Sequence, residues 1–236
     1  MSSKNHFFFS YTGNKREEFE IIYKNIKEEI ENKKINTIIE PFCGSCCISC
    51  KLSELYPKRF KYKLNDLDEN LINLMKLCKD EVEWNKFVEK INKTVQEIDT
   101  KEKYLNIINK NDLLGYFIMK KIFNIRCGLY KADYKPQIYN FDNLPIVKFL
   151  RNEDIELSCI DGIDFYKQNK DISTNLLFID PPYLLSDNSS YEVKKTKLYE
   201  YCSYNPINNE NGYIIFSLNK NWLVDLLFSN SKKYIE

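Results

Sequence analysis

Asp180-Pro181-Pro182-Tyr183 follows directly on the apolar run Leu176-Leu177-Phe178-Ile179. A buried strand that ends in an acid, two prolines and an aromatic makes a rigid lip at a sheet's carboxyl edge, where open α/β sheets bind their ligands. These residue types suit methyl transfer to an amino group conjugated to an aromatic ring. The lone pair of such an amine is delocalised, so the nitrogen is a poor nucleophile. A carboxylate at Asp180 accepts one amine hydrogen and the carbonyl of Pro181 accepts the other, which draws the nitrogen toward a tetrahedral geometry. Pro181 and Pro182 fix φ and remove backbone donors, so the carbonyls stay aimed. Tyr183 offers a ring for a base to stack on. An ordinary strand-to-loop turn has the same composition, so the motif needs context.

Ile38-Ile39-Glu40-Pro41-Phe42-Cys43-Gly44-Ser45 reads as a strand, a turn through Gly44 and the start of a helix. A glycine there lets backbone approach a ligand closely. The segment lacks G-x-G-x-x-G, which argues against a dinucleotide. Phe60-Lys61-Tyr62-Lys63-Leu64-Asn65-Asp66 is an alternating strand ending in an acid, the position from which a Rossmann-type unit accepts ribose hydroxyls. Ahead of both, Phe7-Phe8-Phe9-Ser10-Tyr11-Thr12-Gly13-Asn14-Lys15 sets an aromatic and a lysine on either side of a glycine turn.

Taken in order, Tyr11-Thr12-Gly13-Asn14-Lys15, Glu40-Pro41-Phe42-Cys43-Gly44, Asn65-Asp66 and Asp180-Pro181-Pro182-Tyr183 resemble the Dam-type (alpha-group) DNA adenine methyltransferases. The likeness to phage enzymes of this type is closest at Tyr11–Lys15. The resemblance runs from about residue 7 to 185. It implies an α/β fold whose Rossmann-like sheet is similar to the seven-stranded methyltransferase fold that binds S-adenosylmethionine (SAM). It also implies a SAM pocket from residues matching Tyr11, Gly13, Lys15, Glu40, Phe42, Gly44, Asp66 and Asp180. In the family an acid and an apolar residue face the SAM adenine. Asp164 with Phe165 matches best and Asp161 is the alternative, while a helix N-cap role is open to either acid. Phe42 packs beside the methionine portion of SAM or belongs to the core.

The chain has 236 residues, 43% hydrophobic and 14% aromatic, enough for one compact enzyme with a sizeable core. No run approaches the ~18 apolar residues of a membrane span, and no signal peptide is visible around Lys4 and His6. The expectation is an intracellular enzyme, in a bacterium or, if viral, in the host cell, acting in restriction-modification or a related process. A net charge of +1 gives no global pull toward nucleic acid. Local basic candidates are Lys120-Lys121 with Arg126, Lys131 and Lys135, and the Lys194-Lys195-Thr196-Lys197 cluster. These are either solvated faces or phosphate contacts to double-stranded DNA, which carry no sequence information.

Cys43, Cys46, Cys47 and Cys50 invite a metal reading. A helix from Ser45 onward stacks Cys43 over Cys47 and Cys46 over Cys50 on different sides, whereas tetrahedral zinc draws on two separated ligand pairs. No metal is expected. Small soft side chains let such a helix pack tightly on a sheet. Cys78, Cys127, Cys159 and Cys202 show no ligand spacing, and without a secretory signal all eight thiols are expected reduced. The lone His6 excludes any scheme that needs two histidines.

Periodicity predicts helices over 15–33 and 45–56, strands over 36–41 and 60–65, then a helical block at 69–79, 82–98 and 103–122. Alternation resumes with a strand at 154–160, a helix near 162–169, strands at 175–180 and 212–217, and a helix at 219–228. Residues 1–68 and 152–236 therefore read as the catalytic domain. Residues 69–151 read as an inserted, mostly helical subdomain, where the resemblance implies target recognition.

Within the insert, Asn124-Ile125-Arg126 followed by Lys135-Pro136 resembles the family's DNA-reading hairpin. An arginine there reaches a guanine edge or a phosphate; a purely structural hairpin is the alternative. Arg126-Cys127-Gly128 and Tyr134-Lys135-Pro136 depart from the family's Arg-Tyr-Asn and Phe-Asn-x-Pro, so its GATC specificity does not transfer. After Tyr213-Ile214-Ile215-Phe216-Ser217 the family's further hairpin is expected to be missing or replaced by something shorter, which would expose a sheet edge. A monomer or weak dimer is expected.

The expectation is thus a SAM-dependent DNA adenine-N6 methyltransferase acting on a flipped adenine. Cytosine amino-methylation usually goes with Ser at the first motif position, and rRNA or glutamine methylation with Asn. The rival is a degenerate, non-catalytic relative that binds nucleic acid or a partner. It predicts damage at Asp180, Tyr183, Lys15 or Asp66, all of which are intact.

Overall fold

The computed structural model describes residues 6–11, 13–32, 34–110, 112–122, 137–170, 173–181 and 213–217. The described residues form an α/β fold whose five-stranded sheet has the Rossmann-like order β3-β2-β1-β4-β5. The strands are β1 (Thr37–Glu40), β2 (Lys61–Asn65), β3 (Asp154–Ser158), β4 (Asn175–Ile179) and β5 (Tyr213–Phe216). β1 runs parallel to β2 with Glu40 level with Leu64, and parallel to β4 with Ile39 level with Leu177. β4 runs parallel to β5, Ile179 facing Phe216.

Every residue of β4 is buried, as a central parallel strand covered on both faces requires. That is why Leu176–Ile179, after the opening Asn175, is a continuous apolar run with no alternation. The chain divides into two compact units.

The sheet unit comprises Glu18–Cys43, Arg59–Asp68 and Ile155–Glu236. It includes α1 (Phe19–Glu31) and α8 (Gly162–Asn169). Phe165 and Tyr166 of α8 pack with Ile39, Leu177 and Ile179, so this helix covers one face of the sheet. Partly buried Phe42, Ile214 and Phe216 close the same cluster.

The helical unit comprises Met1–Glu17, Gly44–Lys58 and Glu69–Asp154. It includes α2 (Cys47–Leu55), α3 (Glu69–Lys79), α4 (Glu81–Glu97), α5 (Lys101–Ile108), α6 (Leu113–Ile122) and α7 (Pro145–Asn152). α3 packs on α4, α6 and α7. Phe7, Phe8 and Phe9 are each almost fully buried. Phe8 meets Trp84 at 4.9 Å between ring centroids, and Trp84 and Phe117 both meet Phe141. The aromatic run thus anchors the N-terminal segment in this unit.

Several predicted elements need correction. The helical stretch 103–122 is two helices, α5 and α6. Asn109 closes α5, and the Asp112 carboxylate accepts the Gly115 N–H at 2.7 Å, which starts α6 afresh. The helix expected from Ser45 starts at Cys47, because Cys46 has a left-handed φ of 53° at its N-cap. α7 was not foreseen, although Pro145 at its first turn is a helix-start signal. The helix expected at 219–228 lies outside the described residues.

Candidate active site

From β1 the chain steps outward through β2 to β3, then returns to β4 on the opposite side of β1. The strand order therefore reverses between β1 and β4, and ligands of open α/β sheets bind beside the strand ends at such a point. Glu40-Pro41-Phe42 leaves β1 there, and Asp180-Pro181 leaves β4. Glu40 is buried and Asp180 half-buried, with Pro181 buried behind it. Ile179 just before the lip accepts the Ser217 N–H at 2.8 Å, so the ends of β4 and β5 are tied together. Pro182 and Tyr183 lie outside the described residues.

Asp66 follows β2 and is half-buried. One of its carboxylate oxygens accepts the Asp68 N–H at 3.0 Å, a local turn that fixes its rotamer. Its own N–H donates to the Ser158 carbonyl at the end of β3.

Phe42 is half-buried, and its ring lies over Gly162, the first residue of α8. A Cβ at Gly162 would stand 2.3 Å from Phe42 Cε1, so only glycine leaves room for this ring. Asp161 is the N-cap of α8, accepting from Ile163 N–H at 2.9 Å and Asp164 N–H at 3.4 Å. Asp164 is exposed and pairs with Lys167 at 3.7 Å. The Phe165 ring lies within the core cluster beneath α8. Of the two acids, then, Asp161 takes the capping role.

The helical unit holds Tyr11, Gly13, Lys15 and Gly44. Gly44 has φ +47°, and a Cβ there would lie 2.8 Å from Tyr11 Cε1, so the backbone and the ring meet closely. Phe7 holds the same ring edge-on at 6.0 Å. Gly13 is exposed at the turn, and the buried Lys15 ammonium donates to its carbonyl at 3.1 Å. His6 lies beneath this segment, only 3% exposed. Its Nε2–H donates to the Ser45 carbonyl at 3.3 Å, which leaves Nδ1 to accept from Asn14 Nδ2 at 3.5 Å. Burial lowers the pKa of His6, with the positive charges of Arg16 and Lys51 acting in the same direction.

Arg126, Lys135, Pro136, Lys194 and Lys195 lie outside the described residues, as do Lys131, Cys127 and Cys202. Cys43, Cys46, Cys47, Cys50 and Cys78 are buried thiols and Cys159 is a half-buried one. Burial pushes the Cys78 thiol up to about 12 and raises Cys50 as well. Among the described residues no group of three or more His, Cys, Asp or Glu side chains is arranged to hold a metal ion. Among the same residues no helix is long and apolar enough to cross a membrane.

Sequence reading passed over two features. One is the Phe42–Gly162 contact, which no spacing rule reveals. The other is the side chain of Asn65, fully buried at the last position of β2. Its signal is faint: the amide ends β2 on the face of Lys61 and Lys63, opposite Tyr62 and Leu64, and its burial there shows that it must find partners.

Residues 11–142, more than half of the chain, match the family model of the D12 class N6 adenine-specific DNA methyltransferases. The matched span holds Tyr11, Lys15, Phe42 and Asp66, and the Asp180 lip lies beyond it. A search of curated proteins found no match.

Proposed function

The chain belongs to the D12 class N6 adenine-specific DNA methyltransferase family, and from that premise we propose that it methylates an adenine flipped out of double-stranded DNA, using SAM. Within the family we take it as Dam-type, on the four motifs given above, with its closest likeness to phage enzymes. The proposal extends to an intracellular role such as restriction-modification in a bacterium or its virus.

The observation that carries this reading is the reversal of strand order between β1 and β4, with Asp180 and Pro181 leaving β4 at that point. Flipping costs on the order of a few kcal/mol, offset by stacking of the base on Tyr183. The Asp180 carboxylate and the Pro181 carbonyl each accept one hydrogen of the exocyclic amine. Holding both hydrogens in the lip turns the nitrogen lone pair out of conjugation. The amine gives up its proton only late, so no base with a raised pKa is needed beforehand.

The residues at the sheet edge suit a nucleoside with a cationic tail. Asp66 offers a half-buried carboxylate to ribose hydroxyls. Phe42 offers an apolar ring whose seat on Gly162 is fixed, and Glu40 and Asp180 supply negative charge. When bound, SAM supplies an electrophilic methyl group on a sulfonium. Tyr11, Gly13, Lys15, Gly44, Asp164 and Phe165 are proposed as further cofactor residues by resemblance. Residues 69–151 are proposed as the target-recognition part, with Arg126, Lys135, Pro136, Lys194 and Lys195 contacting DNA.

The test is transfer of labelled methyl from SAM to mixed-sequence DNA, with the product base identified by mass. N6-methyladenine is the expected product. Label found only on cytosine or on RNA overturns the substrate, and no transfer by folded protein overturns the activity.

A further inference from the structure

We propose that Asn65 is a positioning residue whose buried amide locks the segments leaving β1, β2 and β3 into one rigid rim for the cofactor. The inference rests on the SAM reading above.

Asn65 is the last residue of β2 and has no exposed surface. Its Nδ2 donates to the Pro41 carbonyl at 2.9 Å and to the Ile160 carbonyl at 2.9 Å. Its Oδ1 accepts the Ile160 N–H at 3.0 Å. Its own carbonyl accepts the Cys43 N–H at 2.8 Å. Two carbonyls on one side and an N–H on the other leave only one orientation for the amide. Toward Ile160 it pairs as a peptide group would, extending the sheet by one rung past the end of β3 at Ser158.

Pro41, Cys43 and Ile160 all lie beyond their strands, where backbone groups need partners from outside the ladder. Next to each tethered atom stands a residue of the proposed pocket. Phe42 lies between Pro41 and Cys43, both bonded to Asn65. Asp66 is the next residue along the chain. Ile160 leads through Asp161 into Gly162, on which the Phe42 ring rests. One side chain therefore sets the spacing of Phe42, Asp66 and the start of α8. Only an amide of this length offers two donors and an acceptor at once. Aspartate would turn a carboxylate toward two carbonyl oxygens, and alanine would leave three backbone groups unpaired.

A buried asparagine that merely stabilises the fold would affect stability without a selective effect on the cofactor. Asn175 is the control. It is 1% exposed, and its Nδ2 donates to the Asn169 carbonyl at 2.9 Å, but it opens β4 at the amino end of the sheet.

The experiment measures SAM affinity by calorimetry for the full chain and for Asn65→Ala, Asn65→Ser and Asn175→Ala, each well below its melting temperature. Hydrogen exchange at the Ile160 amide is followed alongside. Asn65→Ala should weaken SAM binding by about tenfold or more, with Asn65→Ser between it and the parent. Ile160 exchange should speed up in both Asn65 variants. Asn175→Ala should lose melting temperature and keep both its SAM affinity and its Ile160 protection. Parent-like SAM affinity in a folded Asn65 variant overturns the positioning role and leaves the cofactor reading intact. A parent protein that binds no SAM overturns that reading and with it the role given to the rim. An unprotected Ile160 amide in the parent overturns the tether itself, even if both variants fail to fold.

Discussion

The ring of Phe42 occupies the space that any side chain at Gly162 would need, with Cε1 placed 2.3 Å from where a Cβ would stand. Because the ring also borders the Ile39–Phe165–Leu177 cluster, a substitution at Gly162 reaches the core and the sheet edge together. Gly162→Ala is expected to destabilise the protein by about 1–3 kcal/mol, as overpacking does. Phe42→Leu should return part of that loss, since the shorter side chain yields the space. Denaturant unfolding of the two single variants and the double variant measures the coupling, and strictly additive effects would show that the two residues do not compete.

A second expectation concerns pH and follows from His6. Burial is the main cause of its lowered pKa, reinforced by Arg16 and Lys51 and opposed by the Ser45 hydrogen bond and Glu54. The folded state thus holds the proton less tightly than the unfolded chain, whose imidazole titrates near 6.5. Between the two pKa values the unfolded state binds more protons, so stability rises with pH in that window. It is complete above 6.5 and declines as pH falls toward the folded value. Protonated Nδ1 would also face the Asn14 amide that now donates to it. Melting temperature should hold steady near neutrality and drop on acidification below pH 6.5, and His6→Gln should flatten that drop. An unchanged slope in the variant would assign the effect to other groups.

The strand ends could be read from the chain because parallel strands buried on both faces are uninterrupted apolar runs. Leu176–Ile179 and Ile38–Ile39 announced β4 and β1, and the polar residues after them announced the edge. The periodicity at Trp84 and Ile91 likewise announced α4. What stayed hidden depends on contacts distant in sequence. The division of 103–122 hinges on whether Asp112 starts a new helix, which repeated apolar spacing masks. Helix α7 is short, with four buried apolar residues among eight, too few to establish a period. Cys46 adopts a left-handed φ that residue type does not favour. Asn65 shows in the sequence as a polar strand end, but its partners Pro41 and Ile160 emerge only once β1, β2 and β3 lie side by side.

Asp66 yields a third expectation. Its half-buried carboxylate is oriented by its own turn to the Asp68 N–H, so removing it should cost binding more than folding. Asp66→Ala should weaken SAM by roughly 1–3 kcal/mol, the cost of leaving hydroxyls without a charged acceptor. Asp66→Asn should fall between, because a neutral acceptor makes the weaker hydrogen bond. Calorimetric titration decides it. Equal affinity in all three proteins would remove Asp66 from the pocket.

The strongest expectation falls on Asp180. It directly follows the fully buried β4, yet is itself only half-buried, so its loss should spare the fold and remove the chemistry. Asp180→Ala is expected to lower methyl transfer by about a hundredfold or more, the usual effect of deleting one preorganised polar group from a reaction centre. Asp180→Asn should keep a trace. Its amide oxygen still accepts one hydrogen bond, but charge-assisted bonds are roughly twice as strong as neutral ones. Tyr183→Phe should be milder than Tyr183→Ala, because stacking, worth about 1–3 kcal/mol per base, needs the ring more than the hydroxyl. Labelled methyl transfer to DNA, read beside melting temperature, separates these effects. Full activity in a folded Asp180→Ala would mean that the amine is oriented by some other acceptor and that the lip is an ordinary turn.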